Sequence, residues 1–266
     1  MPETRRGTSS TALDAARAMT DKVPQITVLF WVVKVLTTGM GETASDFLVT
    51  TIEPVVAVAV ALLALIAILV VQFRMRRYVP WVYWSAAAMV SVFGTMAADV
   101  VHVQFGVPYA VSTVVFAVAL AAVFTLWWSV ERTLSIHSIR TTRREAFYWA
   151  AVLLTFALGT ATGDWLASSL GLGYFVAGLV FLVLIAIPAI GYFFFRMNAI
   201  VAFWIAYVLT RPLGASFADW LGVGPARGGI GLGTGVITAI LLAAFIVCVT
   251  YLSLQNRPTQ QPVDAA

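Results

Sequence analysis

Along the chain, apolar stretches of about 20 residues alternate with short polar breaks, and they come in two kinds. Four carry no formal charge: residues 55–73, 109–130, 174–195 and 230–254. The stretches between them, roughly 24–50, 81–101, 147–170 and 199–221, are as long, but each holds an aspartate. At ~1.5 Å of rise per residue, each of the eight is long enough to cross a bilayer as a helix. The pattern predicts an all-α polytopic membrane protein with eight transmembrane helices, acidic and plain in alternation.

The acidic stretches repeat one another. Each reads aromatic, Trp, nine residues, Gly, four residues, Asp. The copies are Phe30-Trp31 with Gly41 and Asp46, Tyr83-Trp84 with Gly94 and Asp99, Tyr148-Trp149 with Gly159 and Asp164, and Phe203-Trp204 with Gly214 and Asp219. A fixed internal period marks tandem repeat architecture. The plain stretches open on Gly106-Val107-Pro108-Tyr109, Gly171-Leu172-Gly173-Tyr174 and Gly231-Leu232-Gly233, with Glu53-Pro54 at that point in the first copy. One unit is thus a two-helix hairpin used four times, at about 24–75, 76–140, 141–196 and 197–254, between polar tails at 1–23 and 255–266. Each unit crosses twice, so the repeats are parallel and their pseudo-symmetry axis runs along the membrane normal.

Composition agrees. Of 266 residues, 61% are hydrophobic and 11% charged, where an ordinary soluble domain is about 25% charged; the mean hydropathy is +0.93. A soluble protein is excluded. The formal charge of +4 comes from arginines clustered between apolar stretches, which set membrane orientation rather than a phosphate-binding face, so no nucleic-acid partner is expected. Arg5, Arg6, Arg17 and Lys22 precede the first span; Arg74, Arg76 and Arg77 follow the second; Arg132, Arg140, Arg143 and Arg144 the fourth; Arg196 the sixth; Arg257 the eighth. The opposite connections carry only Arg227, which places both termini in the cytoplasm. Residues 1–22 lack the apolar core of a signal peptide, and 255–266 read as a disordered tail. Cys248 is the single cysteine, so no intramolecular disulfide or cysteine metal site can form.

At Phe30-Trp31, Lys34, Thr37-Thr38, Gly41-Glu42-Thr43 and Asp46, and at Arg211-Pro212-Leu213-Gly214, the chain resembles a family of bacterial membrane proteins. That family has four tandem two-helix repeats with a signature tryptophan and is described as uncharacterised membrane-anchored proteins. The resemblance covers residues 24 to about 254. It implies the fold and a bacterial cytoplasmic (inner) membrane, and little about activity.

The buried charges call for a reason. An ionisable group at the centre of a bilayer-spanning helix costs roughly 2.5–3.5 kcal/mol, so four aspartates and Glu42 at mid-depth would cost on the order of 10 kcal/mol. Rise per residue puts the glycines near mid-membrane and the aspartates in the outer half. Positions seven, eleven and fifteen after each Trp fall on one stripe of the helix. The stripes are Thr38, Glu42, Asp46; Ser91, Thr95, Asp99; Phe156, Thr160, Asp164; and Arg211, Ala215, Asp219. Packed about a common axis, they would line an acidic cavity. Lys34 and Arg211 are the only bases well inside the acidic spans, and five acids against two bases leave −3, a deficit that suits a cation. Oxygen donors without a cysteine or histidine cluster favour Mg²⁺, Mn²⁺ or protons. Met40 and Met96 beside the stripe tilt the choice toward Mn²⁺.

Plainer roles stand beside these. Each Asp could cap an outer turn, each Trp could pack or anchor at the interface, and each Gly could allow close helix contact. Lys34 and Arg211 could pair structurally with Glu42 and Asp219 or act in coupling. His102 could be a surface histidine or a supporting ligand. Pro188 and Pro212 should kink their spans, and the glycine-rich run 222–235 lacks a phosphate-loop ending. The expected function is secondary transport or export of a small, preferably divalent cation (Mn²⁺ or Mg²⁺), with or without proton coupling, through Glu42, Asp46, Asp99, Asp164 and Asp219. A small organic solute transporter meeting Lys34 or Arg211, and a non-transporting scaffold or sensor, are the alternatives. An enzyme is not expected, because no Ser/His or Glu/His arrangement occurs within the spans. No cofactor is expected beyond a bound divalent cation; the expected partners are the bilayer and that cation.

Overall fold

A computed structural model describes residues 21–256, so Arg5, Arg6, Arg17, Arg257 and most of both tails lie outside the described residues. Among the described residues eight long helices follow one another: α1 Val28–Thr51, α2 Pro54–Arg74, α3 Pro80–Val103, α4 Tyr109–Glu131, α5 Thr142–Asp164, α6 Gly173–Phe195, α7 Ala199–Gly222 and α8 Thr234–Gln255. The spans read from hydropathy coincide with them to within a few residues; α1 starts four residues late, at Val28, and two further starts differ by as much or more.

The two further differences have local causes. Helix α5 begins five residues before the expected 147 because the Thr141 hydroxyl caps it, accepting the Arg144 amide at 3.3 Å, and Glu145 suits the first turn. Polar capping residues are invisible to a hydropathy count. Helix α8 begins later than expected because the glycine-rich run folds back on α7. The amides of Ile230, Leu232 and Gly233 donate to the carbonyls of Trp220, Leu221 and Gly222 at 2.7, 3.0 and 3.1 Å, satisfying the end of α7. Gly231 and Gly233 take φ of 86° and 91° there, a region open to glycine at little cost. Helices α6 and α7 run unbroken through Pro188 and Pro212. Helix α5 instead ends in a widened π turn, Trp165–Ser169, directly after Asp164.

The acidic helices form an inner ring in which α1 packs on α3, α3 on α5, α5 on α7 and α7 back on α1. Each plain helix packs chiefly on the acidic helix of the following repeat: α2 on α3, α4 on α5, α6 on α7, and α8 on α1. The hairpins therefore interlock instead of standing side by side. Seven helices are long and apolar enough to cross a membrane; the inner ones among them are 61% buried over that window and the outer ones 17% or 28%. Helix α1 is the exception because Lys34, Glu42 and Asp46 dilute it, and it completes the inner ring. An outer layer this apolar and this exposed is a lipid-facing surface, so the chain is a helical membrane-type protein.

Two sets of repeat contacts close the ring. At the end carrying the signature Trp residues, each preceding aromatic meets the Trp of the next repeat. Phe30 to Trp84, Tyr83 to Trp149, Tyr148 to Trp204 and Phe203 to Trp31 have ring centroids 5.6, 5.5, 6.1 and 5.7 Å apart. Such pairs add about 0.5–1.5 kcal/mol each beyond their area. Trp84, Trp149 and Trp204 are buried and Trp31 half-buried, so they pack rather than anchor at an interface. At mid-helix, each signature glycine lies against position seven of the next repeat. A Cβ on Gly41 would strike Ser91; on Gly94 it would lie 2.8 Å from Phe156 Cβ; on Gly159, 2.6 Å from Arg211 Cβ; on Gly214, 3.0 Å from Thr38 Cβ. The glycines are the crossing points of the ring.

Candidate functional site

Positions −1, three, seven, eleven and fifteen of the repeats stack as layers along the inner ring. At its centre Arg211, buried, gathers position eleven of the other three repeats. Its guanidinium pairs with Glu42, donates to the Thr95 hydroxyl, and donates to the Thr160 hydroxyl at 2.7 Å. It also reaches the Thr38 carbonyl at 3.4 Å, while the Thr95 hydroxyl lies 3.3 Å from Glu42. The expected convergence of Thr38, Glu42, Thr95, Thr160 and Arg211 is therefore present. A charge pair so desolvated is tolerable only because its remaining donors and acceptors are met by these hydroxyls.

One turn toward the signature end lies Lys34, 1% exposed. Its ammonium sits 3.8 Å from the Phe156 ring centroid and 4.1 Å from that of Tyr207, with no hydrogen-bond acceptor among the described residues. Of the ion pairs open to Lys34 and Arg211, Arg211–Glu42 forms, while Lys34 pairs with neither Glu42 nor Asp219. Beyond it the Tyr83 and Tyr148 hydroxyls share a short hydrogen bond, with Tyr207 beside them.

Two turns the other way, at position fifteen, are the aspartates, at the opposite end of the ring. Asp219 is buried with Oδ1 unpartnered, and Asp46, Asp99 and Asp164 are half-buried. Asp99 lies in the field of Glu42, Asp164 and Asp46, and Asp219 in that of Glu42, Asp46 and Asp164. None of the four caps the helix that follows: those N-caps are Glu53, which accepts the Val56 amide at 2.9 Å, and Pro108, Leu172 and Gly233. The aspartates stand at the same end of the inner ring, yet among the described residues no three His, Cys, Asp or Glu side chains stand close enough to hold a bare metal ion.

Three supporting residues are placed elsewhere. Met96 packs with Ala57, Ala61 and Val92 on the α2 side, and Met40 belongs to the main apolar core. Both thioethers are taken up in apolar packing and give no preference for Mn²⁺. His102 is buried at the α3–α4 turn, donating through Nδ1 to the Val107 carbonyl at 2.8 Å, with Nε2 3.2 Å from the Ser112 hydroxyl, so it ties that turn together. The Ser91 hydroxyl is buried, unpartnered and pressed on Gly41.

Three residues escape the stripe pattern. Tyr207 stands at position three of the last repeat, level with Lys34. Arg227, in the turn after α7, donates to the Tyr174 hydroxyl at 3.2 Å. Burial works against its charge, but Tyr174, Asp46 and Asp219 outweigh that and raise its pKa. Glu145, at the signature end, accepts from Lys22 at 2.5 Å and Gln72 at 2.8 Å, all three buried. Lys22, read from sequence as a flanking base, is thus part of the packed structure. Nearby, Tyr78 accepts from the Trp84 indole at 3.0 Å, and burial pushes the Tyr78 hydroxyl's pKa up.

No curated protein and no solved structure matches the chain. A repeat family matches four times in tandem, at residues 29–78, 82–133, 147–198 and 202–258, each match beginning at or just before a signature aromatic-Trp pair and taking in one hairpin. The chain belongs to the family described as Repeat of Unknown Function (DUF347).

Proposed function

We propose that this protein is a secondary transporter of a small divalent cation, Mg²⁺ or Mn²⁺, with proton coupling. The observation that carries the reading is the layering of the axis: four equivalent aspartates gather at one end, above a neutral Arg211–Glu42 layer at the centre. A buried carboxylate oxygen without a hydrogen-bond partner in a membrane-type helix, as Asp219 Oδ1 is, suits an exchangeable counter-charge. The spacing of the acids requires the cation to keep part of its water shell, as Mg²⁺ habitually does. Arg211, Glu42, Thr95 and Thr160 then act as the gate, and the aromatic layer closes the far end. The arginine-bearing connections favour a cytoplasmic signature end and an outward-facing vestibule in a bacterial inner membrane. No nucleotide-binding motif occurs, so the membrane potential or a proton gradient supplies the energy.

A second reading, transport of a small organic anion, draws on Lys34, whose unpartnered ammonium would accept a solute carboxylate. The two readings separate in liposomes containing the purified protein. The cation reading expects Mn²⁺ or Mg²⁺ flux that falls by about tenfold or more in Asp99→Asn/Asp164→Asn, equivalent to ~1.4 kcal/mol of lost stabilisation. Flux unchanged by that double substitution rules out the carboxylate pathway. Absence of flux in the unsubstituted protein rules out the transporter itself.

A further inference from the structure

We infer that Lys34 carries the proton exchanged for the cation, an assignment that rests on the cation path proposed above. Lys34 differs from every other buried base in its partners: Arg211 has Glu42 and the threonines, and Lys22 has Glu145. An ammonium offers three donors, and those of Lys34 meet only the faces of Phe156 and Tyr207. The elements around it supply no free anion. Helix α7 presents Tyr207 and Arg211, and α5 presents Phe156. Helix α8 has no charged residue along its length, α2 has none before Arg74, and α3 has none before Asp99. On its own helix, Glu42 is committed to Arg211.

The charge on Lys34 is therefore the one positive charge on the axis that can leave without breaking an ion pair. When a dication settles among the aspartates, more than three helical turns away along α1, it adds positive charge to an axis already holding Arg211 and Lys34. Loss of one proton from Lys34 offsets part of that gain. The Nζ–H bond breaks, its electron pair stays on nitrogen, and water takes the proton: R–NH₃⁺ + H₂O gives R–NH₂ + H₃O⁺. The neutral amine remains against the ring faces. The hydroxyls of Tyr207, Tyr148 and Tyr83 lie between Lys34 and the signature end, offering a relay of O–H groups in that direction. Departure of the cation returns the proton, so the exchange runs in antiport.

The chain has two lysines, Lys22 and Lys34, so protein labelled with ¹⁵Nζ-lysine shows two side-chain signals, assigned by losing one in Lys34→Met. Titration with MgCl₂ in detergent at fixed pH is expected to convert the Lys34 signal from ammonium to amine while Lys22, held by Glu145, stays an ammonium. A pH-indicator dye in weak buffer should report about one proton released per protein on Mg²⁺ binding, the single ammonium proton lost, and none from Lys34→Met. Thermal stabilisation by Mg²⁺ reports binding independently. If Mg²⁺ stabilises the protein while Lys34 remains an ammonium, the assignment is overturned and the cation path stands. If Mg²⁺ neither stabilises the protein nor perturbs either signal, both fall. Should Lys34→Met fail to fold, the unsubstituted protein's two signals still decide between these results.

Discussion

Replacing Arg211 with methionine is expected to lower stability by ~3–5 kcal/mol, the range found when one partner of a buried ion pair is removed. Methionine fills a similar volume, so the loss comes from charge rather than from a cavity. The Glu42 carboxylate would be left inside the bundle with only the Thr95 hydroxyl near it, and the Thr160 hydroxyl would lose its charged partner. Glu42→Gln alone should cost less, because the guanidinium keeps both threonine hydroxyls and the Thr38 carbonyl. The combined Glu42→Gln/Arg211→Met protein should recover much of the single loss, since no unpaired charge remains. Unfolding in denaturing detergent gives the three values. Strict additivity would mean that the pair is not the unit that holds the centre together.

The second large effect lies at the glycine crossings, where α5 contains its own control. Gly159→Ala is expected to destabilise by ~1–3 kcal/mol, the cost of forcing a methyl group into a filled contact. Its Cβ would lie 2.6 Å from Arg211 Cβ and 3.0 Å from Pro212 Cδ, and Arg211 cannot swing aside because its far end is bound on three helices. Gly163→Ala, one turn on, places its Cβ an ordinary 3.8 Å from Pro212 Cβ. There alanine's better helix propensity should make the change neutral or favourable by up to ~1 kcal/mol. Thermal unfolding of both variants in detergent checks the contrast. Equal destabilisation would show that glycine serves helix flexibility rather than the ring contact.

Much of the architecture was legible because each rule involved concerned a single helix. The ten- and five-residue spacings marked the four units, and the i, i+4 stripe marked Thr38, Glu42, Thr95, Thr160 and Arg211 as residues that would meet. Which helices neighbour one another was not legible, because spacing along a helix says nothing about its partner. The packing of each outer helix on the following repeat came only from the structure. For the same reason the sequence left open which base pairs with Glu42: Arg211 reaches across the ring to it, and nothing local to either residue shows it. Tyr207 could have been found by extending the stripe one turn back toward the Trp, which places it level with Lys34. Glu145 was masked by Arg143 and Arg144, which made its segment look like an ordinary orienting loop. Met96 adjoins the stripe residue Thr95 in sequence but faces α2, and His102 turns into its own inter-helix turn, because successive side chains of a helix point in different directions.

The claim that the four aspartates form the cation's vestibule is tested most directly by locating the ion. Crystals grown with Mn²⁺ and measured for its anomalous scattering should show a peak among Asp46, Asp99, Asp164 and Asp219, lost in Asp99→Asn/Asp164→Asn. A peak confined to some other part of the molecule, or none at saturating Mn²⁺, would contradict it.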